Sequence, residues 1–496
     1  MRLLFNDEPK RVLRAYVTIG SVIASLAWML SCGGGTRPPI VTTPPPPPAE
    51  RTIGITIRAQ DGSALAQAVG SLTPDEAATT PCQNHDGRLA CQTKATGGAD
   101  LVVEADGYVT VTRHIALDPE QEDLYLRHKA PPLSRLHVDG RVLRNAEGRL
   151  FVWQGMSAFK LVEFVAAGRE AEADAFLERA AGAGVTLVRV FSMAGSCCNA
   201  QGQPYLFRLE PARGRAALPR LLELAADHGL YVEVVALLDT RYFTFDHRQH
   251  VREIGQTCLA WVNCVIELAN EPAHGTQVGE IADPAYLASL NALIPSEVPV
   301  AYGAAHGSDD SNFTWGGGDN VTIHLDRADG EDEFSRDGRG LRWVRHIKDA
   351  FDTAETLGKF TVNDEPRRDD LTPWKHTAVA LICRMLGIGD TFHYEGGLGA
   401  TWPQGAELAA FEGRRRGWLA IPADWRGHFF NTGHAGSPVP NADWSTVLKV
   451  FSAVNGGSAY TLAIGSAAPR FTWANDWPTR ELLLQDGGTS LWRLQR

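Results

Sequence analysis

From about residue 131 the chain alternates short apolar runs with longer segments whose apolar residues recur at helical spacing, and this order constrains the fold more than any other feature. The runs are "RLFVWQGMS", "TLVRVFSM", "YVEVVALLD", "CVIELANEP", "VPVAYGAA", "NVTIHLD", "KFTVNDEP" and "DTFHYEGG". Between them lie "AEADAFLERAAGAG", "RAALPRLLELAADHG", "DHRQHVREIGQTCLAW", "DPAYLASLNAL", "GLRWVRHIKDAFDTAETLG" and "WKHTAVALICRMLG", most with helical periodicity. Eight strands joined by helices predict a (β/α)8 barrel of the TIM type. One unit is defective, because "HGSDDSNFTWGGGDN" after the fifth strand has no helical period and reads as a long loop. The eighth helix falls either at 405–419 or at 444–454. Beyond it, "SAYTLAIG" and "ELLLQDGGTSLWRL" read as strands. The expected barrel is 131–457, followed by a β extension at 458–496.

The segment before the barrel has a different rhythm. Residues 51–129 alternate apolar and polar positions in short runs broken by Asp-Gly turns, the pattern of a small antiparallel all-β sandwich domain. Its Gly98–Tyr108 stretch resembles the carboxypeptidase regulatory-like, transthyretin-like sandwiches, which implies a spacer or adhesion role. Cys82 and Cys91 flank "QNHDGRLA", whose Asp86-Gly87 is a hairpin signal that brings facing strands into disulfide range. Cys258 with Cys264, and Cys197 with Cys198, are further pairings, with free buried thiols the alternative. At the very start, Arg11 and Arg14 precede a sixteen-residue uncharged run, Ala15 to Leu30, then "MLSCGGG". Residues 1–32 resemble a bacterial lipoprotein signal in which Cys32 is lipidated, although Met29 fits imperfectly and an uncleaved anchor is the alternative. Either reading places the protein outside the cytoplasm, attached to a membrane. The Gly- and Pro-rich tract 33–50 reads as an extended tether.

Composition removes some functions. Over 496 residues the formal charge is −11, against nucleic acid as a partner, because phosphate binding needs clustered Lys and Arg. No Cys/His set stands at structural zinc spacing, so neither metal nor organic cofactor is expected.

Barrel enzymes carry their reacting groups where strands end, at the C-terminal face. "CVIELANEP" places Asn270 and Glu271 there, and Pro272 stops the strand from extending its ladder. "KFTVNDEP", three strands later, ends with Asp364, Glu365 and another proline. Two carboxyls across one rim suit glycosidic-bond cleavage, and a separation of about 5–5.5 Å gives retention of anomeric configuration.

With these motifs the chain resembles clan A glycoside hydrolases, most closely the cellulase-like family five, over roughly residues 135–400. The entry hairpin "VDGRVLRNAEGRLFVWQGMSAF", "LVRVF", "VIELANEP" and "TIHLD" carry the likeness. The resemblance implies Glu271 as general acid/base, Glu365 as nucleophile, Asn270 on the sugar 2-hydroxyl, Arg189 steadying the nucleophile and His324 lining the cleft. The chain departs from the pattern in having Pro366 after Glu365, Asp364 as a competing acid, and His393, Tyr394 and Glu395 where a Trp platform is usual. Glu395 is therefore a rival nucleophile. Asp239, Tyr242, Phe243, Trp315 and Trp402 are candidate sugar contacts or rim packing. The expected activity is a retaining hydrolase acting on a β-linked carbohydrate. The alternatives are a catalytically inactive glycan-binding surface lipoprotein and an adhesion protein acting through the β-domain.

Overall fold

The eight apolar runs form eight parallel strands that close into a barrel in chain order. They are β1 (Gln154–Ser157), β2 (Leu187–Phe191), β3 (Tyr231–Leu237), β4 (Cys264–Ala269), β5 (Val300–Ala301), β6 (Asn320–His324), β7 (Phe360–Glu365) and β8 (Gly389–Phe392). Pairing of Gln154 with Asp390 joins the last strand to the first. This computed structural model describes residues 50–496 apart from 60–63, 76–77, 96, 109, 118–121, 127–131, 198–206, 305–316, 325–341, 366–371, 432–437, 440, 443–446 and 466–470. The expected signal segment with Cys32, nearly all of the tether, Cys198 and Trp315 lie outside the described residues.

Helices α1 (Leu161–Ala166), α2 (Glu170–Gly182), α3 (Pro211–Asp227), α4 (His247–Ala260), α5 (Pro284–Asn291), α6 (Arg342–Leu357), α7 (Pro373–Leu386), α8 (Glu395–Leu398) and α9 (Gly405–Ala420) accompany the strands. Their limits follow local chemistry. The Asp246 carboxylate accepts from the Gln249 amide and starts α4, Asp283 with Pro284 starts α5, and Gly387 in the left-handed region ends α7. Among the described residues no helix stands between β5 and β6. Of the two positions expected for the eighth helix, 405–420 is helical, whereas 447–455 is a strand.

Strand parity separates the residues that point into the barrel from those that pack beneath the helices. Toward the N-terminal ends, Trp153, Leu187, Tyr231, Val265, Phe360 and Val362 make one buried apolar cluster with Leu136 and Leu143 of the entry hairpin. The alternate residues Val188, Val190, Val232, Val234, Ile266 and Leu268 belong to the main core with helices α1–α5. The floor is therefore sealed by hydrocarbon, while the next inward positions up the strands carry charge. A separate cavity of about 520 Å³ lies at the N-terminal ends of β7 and β8, lined in part by Arg141, Lys359, Gly387 and Arg426, on the face opposite the strand ends.

In the N-terminal domain seven strands between Arg51 and Leu126 form a sheet. One pairing departs from the antiparallel expectation, since the first strand (Arg51–Ala59) runs parallel to the last (Glu122–Leu126). Cys82 and Cys91 are joined by a disulfide across the hairpin whose Asp86 and Gly87 both have positive φ, at 51° and 86°. Cys258 and Cys264 form a second disulfide, and Cys383 is a buried free thiol.

At the C-terminus β9 (His428–Asn431), β10 (Val447–Asn455), β11 (Ser458–Gly465), β12 (Thr479–Asp486) and β13 (Thr489–Gln495) make a five-stranded sheet in the order β9-β10-β11-β13-β12. The expected boundary at residue 457 falls inside the β10–β11 hairpin, so the extension begins by His428. Apolar residues of β10, β11 and β13 share a core with α7, which couples this sheet to the barrel wall.

Candidate active site

Charged residues fill the barrel above its apolar floor. Arg189 on β2, Glu233 on β3, Glu267 on β4, His324 on β6 and Asp364 on β7 are all buried, at 0–3% exposure. The Arg189 guanidinium donates from Nε to Glu267 Oε2 at 2.7 Å and from Nη2 to Asn270 Oδ1 at 2.9 Å, and lies 3.7 Å from Glu233. Burial opposes its charge, but the surrounding Glu267, Asp364, Glu365 and Glu233 carboxyls raise its pKa further still. Burial pushes the Glu233 carboxyl well above the ordinary range, helped by Asp364 and Glu267. It pushes Glu267 up as well, with Arg189 and His324 opposing.

The strand alternation breaks where the two expected catalytic acids emerge. After Ala269, Asn270 reaches the interior Arg189, and Glu271 turns at φ 42°, a left-handed conformation uncommon for a side chain of this size. Gln277 pins that turn by donating to the Asn270 carbonyl at 2.7 Å and to the Leu237 carbonyl at 3.2 Å. Gly303, at φ 92°, lets the segment after β5 pass against the Ala269 carbonyl, where a Cβ would overlap the oxygen. On β7 the break is a bulge. Ile323 pairs with Asn363 and His324 with Glu365, which leaves Asp364 as an extra residue. Asn363 faces outward, with its amide on Asp390 at 3.1 Å, and Asp364 faces inward, so parity alone would turn Glu365 out. The bulge returns it to the interior.

His324 stands at the centre of the resulting cluster. Its Nδ1 lies 2.8 Å from Glu365 Oε2 and 3.5 Å from Glu271 Oε1, and its Nε2 lies 3.5 Å from Asp364 Oδ1. Oxygens of Glu271 and Glu365 come within 4.8 Å of one another. Both residues are buried, at 8% and 5% exposure. Although burial opposes a charged imidazole, Glu365 and Asp364 raise its pKa well above the ordinary value. Burial likewise raises Asp364 to about 7, against the pull of His324 and Arg189. On the far side, His393 Nε2 lies 3.2 Å from Glu365 Oε1, and its Nδ1 shares a 2.8 Å hydrogen bond with the Ser157 hydroxyl.

Two sets, Glu267/His324/Asp364 and Glu271/His324/Glu365, bring three ligating atoms within 4.8 Å. His324 belongs to both, and Arg189 already pairs with Glu267. A divalent ion in either set would have to displace the proton of His324, and in the first set also compete with Arg189 for Glu267, so the cluster is better described as an ion-pair network than as a metal centre.

The remaining expectations divide. Asn270, Glu271, His324, Glu365 and His393 come together, and Arg189 joins them through Glu267 and Asn270. No direct pair between Arg189 and Glu365 occurs among the described contacts, so any steadying of that acid acts through the field. Tyr394 is a correction: parity turns it outward, fully buried, with its hydroxyl donating to the Thr401 carbonyl at 2.7 Å and its ring stacked on Phe392. It cannot touch a substrate in the barrel mouth. Glu395 begins α8, and its side chain lies outside the described residues. Trp402 packs between Phe176 and Phe411 in the outer shell. Asp239 is buried and accepts from the Gly195 amide, Phe243 lies under the Arg208 guanidinium, and Tyr242 is 47% exposed. Glu233, Glu267 and Gln277 were not foreseen. The signal for the first two is an acid at an inward position of an otherwise apolar strand, in "YVEVV" and "VIELA".

No family model matches this chain, and no curated protein matches it. Among solved structures, a family 5 glycoside hydrolase from Bacteroides vulgatus aligns at 12% identity and TM-score 0.48 over 73% of this chain and 93% of its own. A beta-glucanase from Saccharophagus degradans, in complex with cellotetraose, aligns at 12% identity and TM-score 0.42, covering 57% of this chain and 93% of the other. An endo-1,4-beta-mannanase from Rhizomucor miehei aligns at 14% identity and TM-score 0.37, covering 52% and 89%. At such values the chemistry has to be argued from the side chains themselves.

Proposed function

We propose that this protein is a retaining glycoside hydrolase acting on a β-linked poly- or oligosaccharide. The observation that carries this reading is the approach of Glu271 and Glu365 oxygens to within 4.8 Å at the C-terminal mouth of the barrel, from the ends of strands three apart around it. A separation under that limit falls short of the about 6.5–9.5 Å that an inverting pair needs to admit a water, which favours attack by the carboxylate itself.

In the first step Glu271, as the carboxylic acid, gives its proton to the glycosidic oxygen. The Glu365 carboxylate attacks the anomeric carbon, the bond to the leaving oxygen breaks, and a glycosyl ester forms. Glu271, now ionised, then takes a proton from water as the water oxygen attacks the same carbon and releases Glu365. His324 and His393 hold the two oxygens of Glu365 at 2.8 and 3.2 Å, which fixes the attacking carboxylate from both sides. Arg189 presents the Asn270 amide, leaving its NH2 group as a donor for a substrate hydroxyl. In this reading the signal at Cys32 tethers the enzyme by a lipid to an extracytoplasmic membrane face.

Glu365→Gln is expected to lose turnover by at least about 10³-fold and to form no covalent adduct with an activated 2-fluoroglycoside. Glu271→Gln is expected to slow natural substrates far more than aryl glycosides whose leaving group needs no proton. Parent-level hydrolysis by both variants would refute the assignment. Tight oligosaccharide binding by the parent, without products after long incubation, would show instead a binding protein on a barrel of this type.

A further inference from the structure

The acid beside the expected nucleophile has no part in the two-carboxylate scheme, yet the fold spends a bulge on it. Asp364 is fully buried, faces the interior and lies 3.5 Å from Nε2 of His324, the nitrogen opposite the one that meets Glu365. We propose that Asp364 is a positioning residue: its carboxylate pairs with the Nε2 side of His324, so that the imidazole stays fully protonated and presents its Nδ1 proton to Glu365. This rests on the function proposed above and adds to it a third carboxyl acting through the histidine.

The geometry favours this role over simple packing. A neutral imidazole carries one proton, and a proton on Nε2 would leave the Nδ1 lone pair facing the Glu365 oxygen at 2.8 Å, acceptor against acceptor. Both nitrogens face carboxylate oxygens at ion-pair distance, and the doubly protonated ring is the form that answers an anion on each side. Among the described residues, the charged groups around the ring belong to the same balance. Glu365 and Asp364 approach from β7, Glu267 and Glu271 from β4 and its end, Arg189 from β2, and Glu233 from β3 beyond Asp364. Among these carboxyls Asp364 is the one at Nε2 within ion-pair distance, whereas Glu271 and Glu365 both face Nδ1. The bulge makes the arrangement possible, because an unbroken strand could offer the ring Asp364 or Glu365 but not both.

The test uses the full chain labelled with 15N-histidine, with the His324 signals assigned by their loss in His324→Asn. In the parent, both ring nitrogens of His324 are expected to remain protonated well above the ordinary imidazole value of 6.5. In Asp364→Asn the midpoint of that titration is expected to fall by about one pH unit or more, a tenfold change in proton affinity. The basic limb of kcat/KM should move acidward with it. A structural role alone would lower the melting temperature and leave both profiles in place, and that result overturns the proposal. If Asp364→Asn does not fold, the parent titration decides, since a His324 that loses its proton below about pH 7 overturns the proposal by itself. The two readings fail separately. A chain that cleaves no glycoside but shows the histidine shift loses the proposed function and keeps the Asp364–His324 coupling. A chain that depends on Glu365 but shows no shift does the reverse.

Discussion

Replacing Arg189 with Met tests whether the charged layer of the barrel is held as an ion-pair network. The side chain is completely buried, and its removal strips Glu267 of a partner at 2.6 Å and Asn270 of a donor at 2.9 Å. Breaking a buried pair by deleting one member costs about 3–5 kcal/mol, because the surviving charge loses its hydrogen-bonded counter-ion out of reach of water, with His324 the cation that remains near it. Glu267 can escape that cost only by taking up a proton, since Glu233 is already pushed toward its neutral form. The sign follows from linkage. Without Arg189 the folded pKa of Glu267 rises above its value in the parent, and further above its unfolded value of about 4.3. Between the parent's folded value and the variant's, the folded variant therefore holds one more proton than the folded parent does. Its stability relative to the parent falls as pH rises across that window, by about 1.4 kcal/mol per pH unit for one proton. Urea unfolding followed by tryptophan fluorescence at a series of pH values measures the deficit. It should be smallest in acid and approach about 3–5 kcal/mol above neutrality. Adding Glu267→Gln should remove the slope and recover part of the loss at high pH. A deficit that is constant with pH, or a double variant no more stable than Arg189→Met alone, would refute the reasoning.

Two further substitutions probe the backbone device beside the site and the corrected rim residue. Gly303→Ala is expected to cost about 3 kcal/mol or more, since φ 92° is unfavourable for alanine and its Cβ would overlap the Ala269 carbonyl and come to 3.1 Å from Glu267 Oε1; thermal melting reads the loss directly. Tyr394→Phe should lose about 1 kcal/mol with its hydrogen bond to Thr401, while kcat/KM on any cleaved glycoside stays within roughly twofold of the parent. A large loss of kcat/KM at full stability would put the phenol back in the substrate cleft.

The eight strands were legible because each is a compact apolar run set off by turns and helical periods, and burial on both faces of a parallel strand writes that run directly into the chain. Helix α1 was not foreseen, since "LVEFVA" is too short for a helical period to stand out. The β10 strand stood as one of two places for the eighth helix because "TVLKVFSAV" satisfies both spacings, and the pairing that makes it a strand, to β9 and β11, is not written in the segment itself. Tyr394 misled for a related reason. Its position at a strand end is visible, but which way it faces depends on counting parity from Thr391, whose hydroxyl accepts from Trp153 inside the barrel. Glu233 and Glu267 show the reverse case, where parity could have been counted and was informative.

What no local pattern displays is how two acids come to face one another when strands expose only every second residue to the interior. On β4 the alternation ends at Ala269, and a left-handed Glu271 held by Gln277 lets two consecutive side chains look into the mouth. On β7 the same result comes from one extra residue, so Asp364 and Glu365 both point inward although they are neighbours. Each irregularity carries a cost, about 1–3 kcal/mol for a non-glycine residue held at positive φ, together with the burial of charges that then need counter-ions. That second cost explains Arg189 and His324, which supply positive charge where the two breaks converge. The irregularities, the buried acids and the two cations are thus a single arrangement. None of them stabilises a barrel on its own account, and their coincidence at the C-terminal mouth is the physical ground for reading that mouth as a site of chemistry.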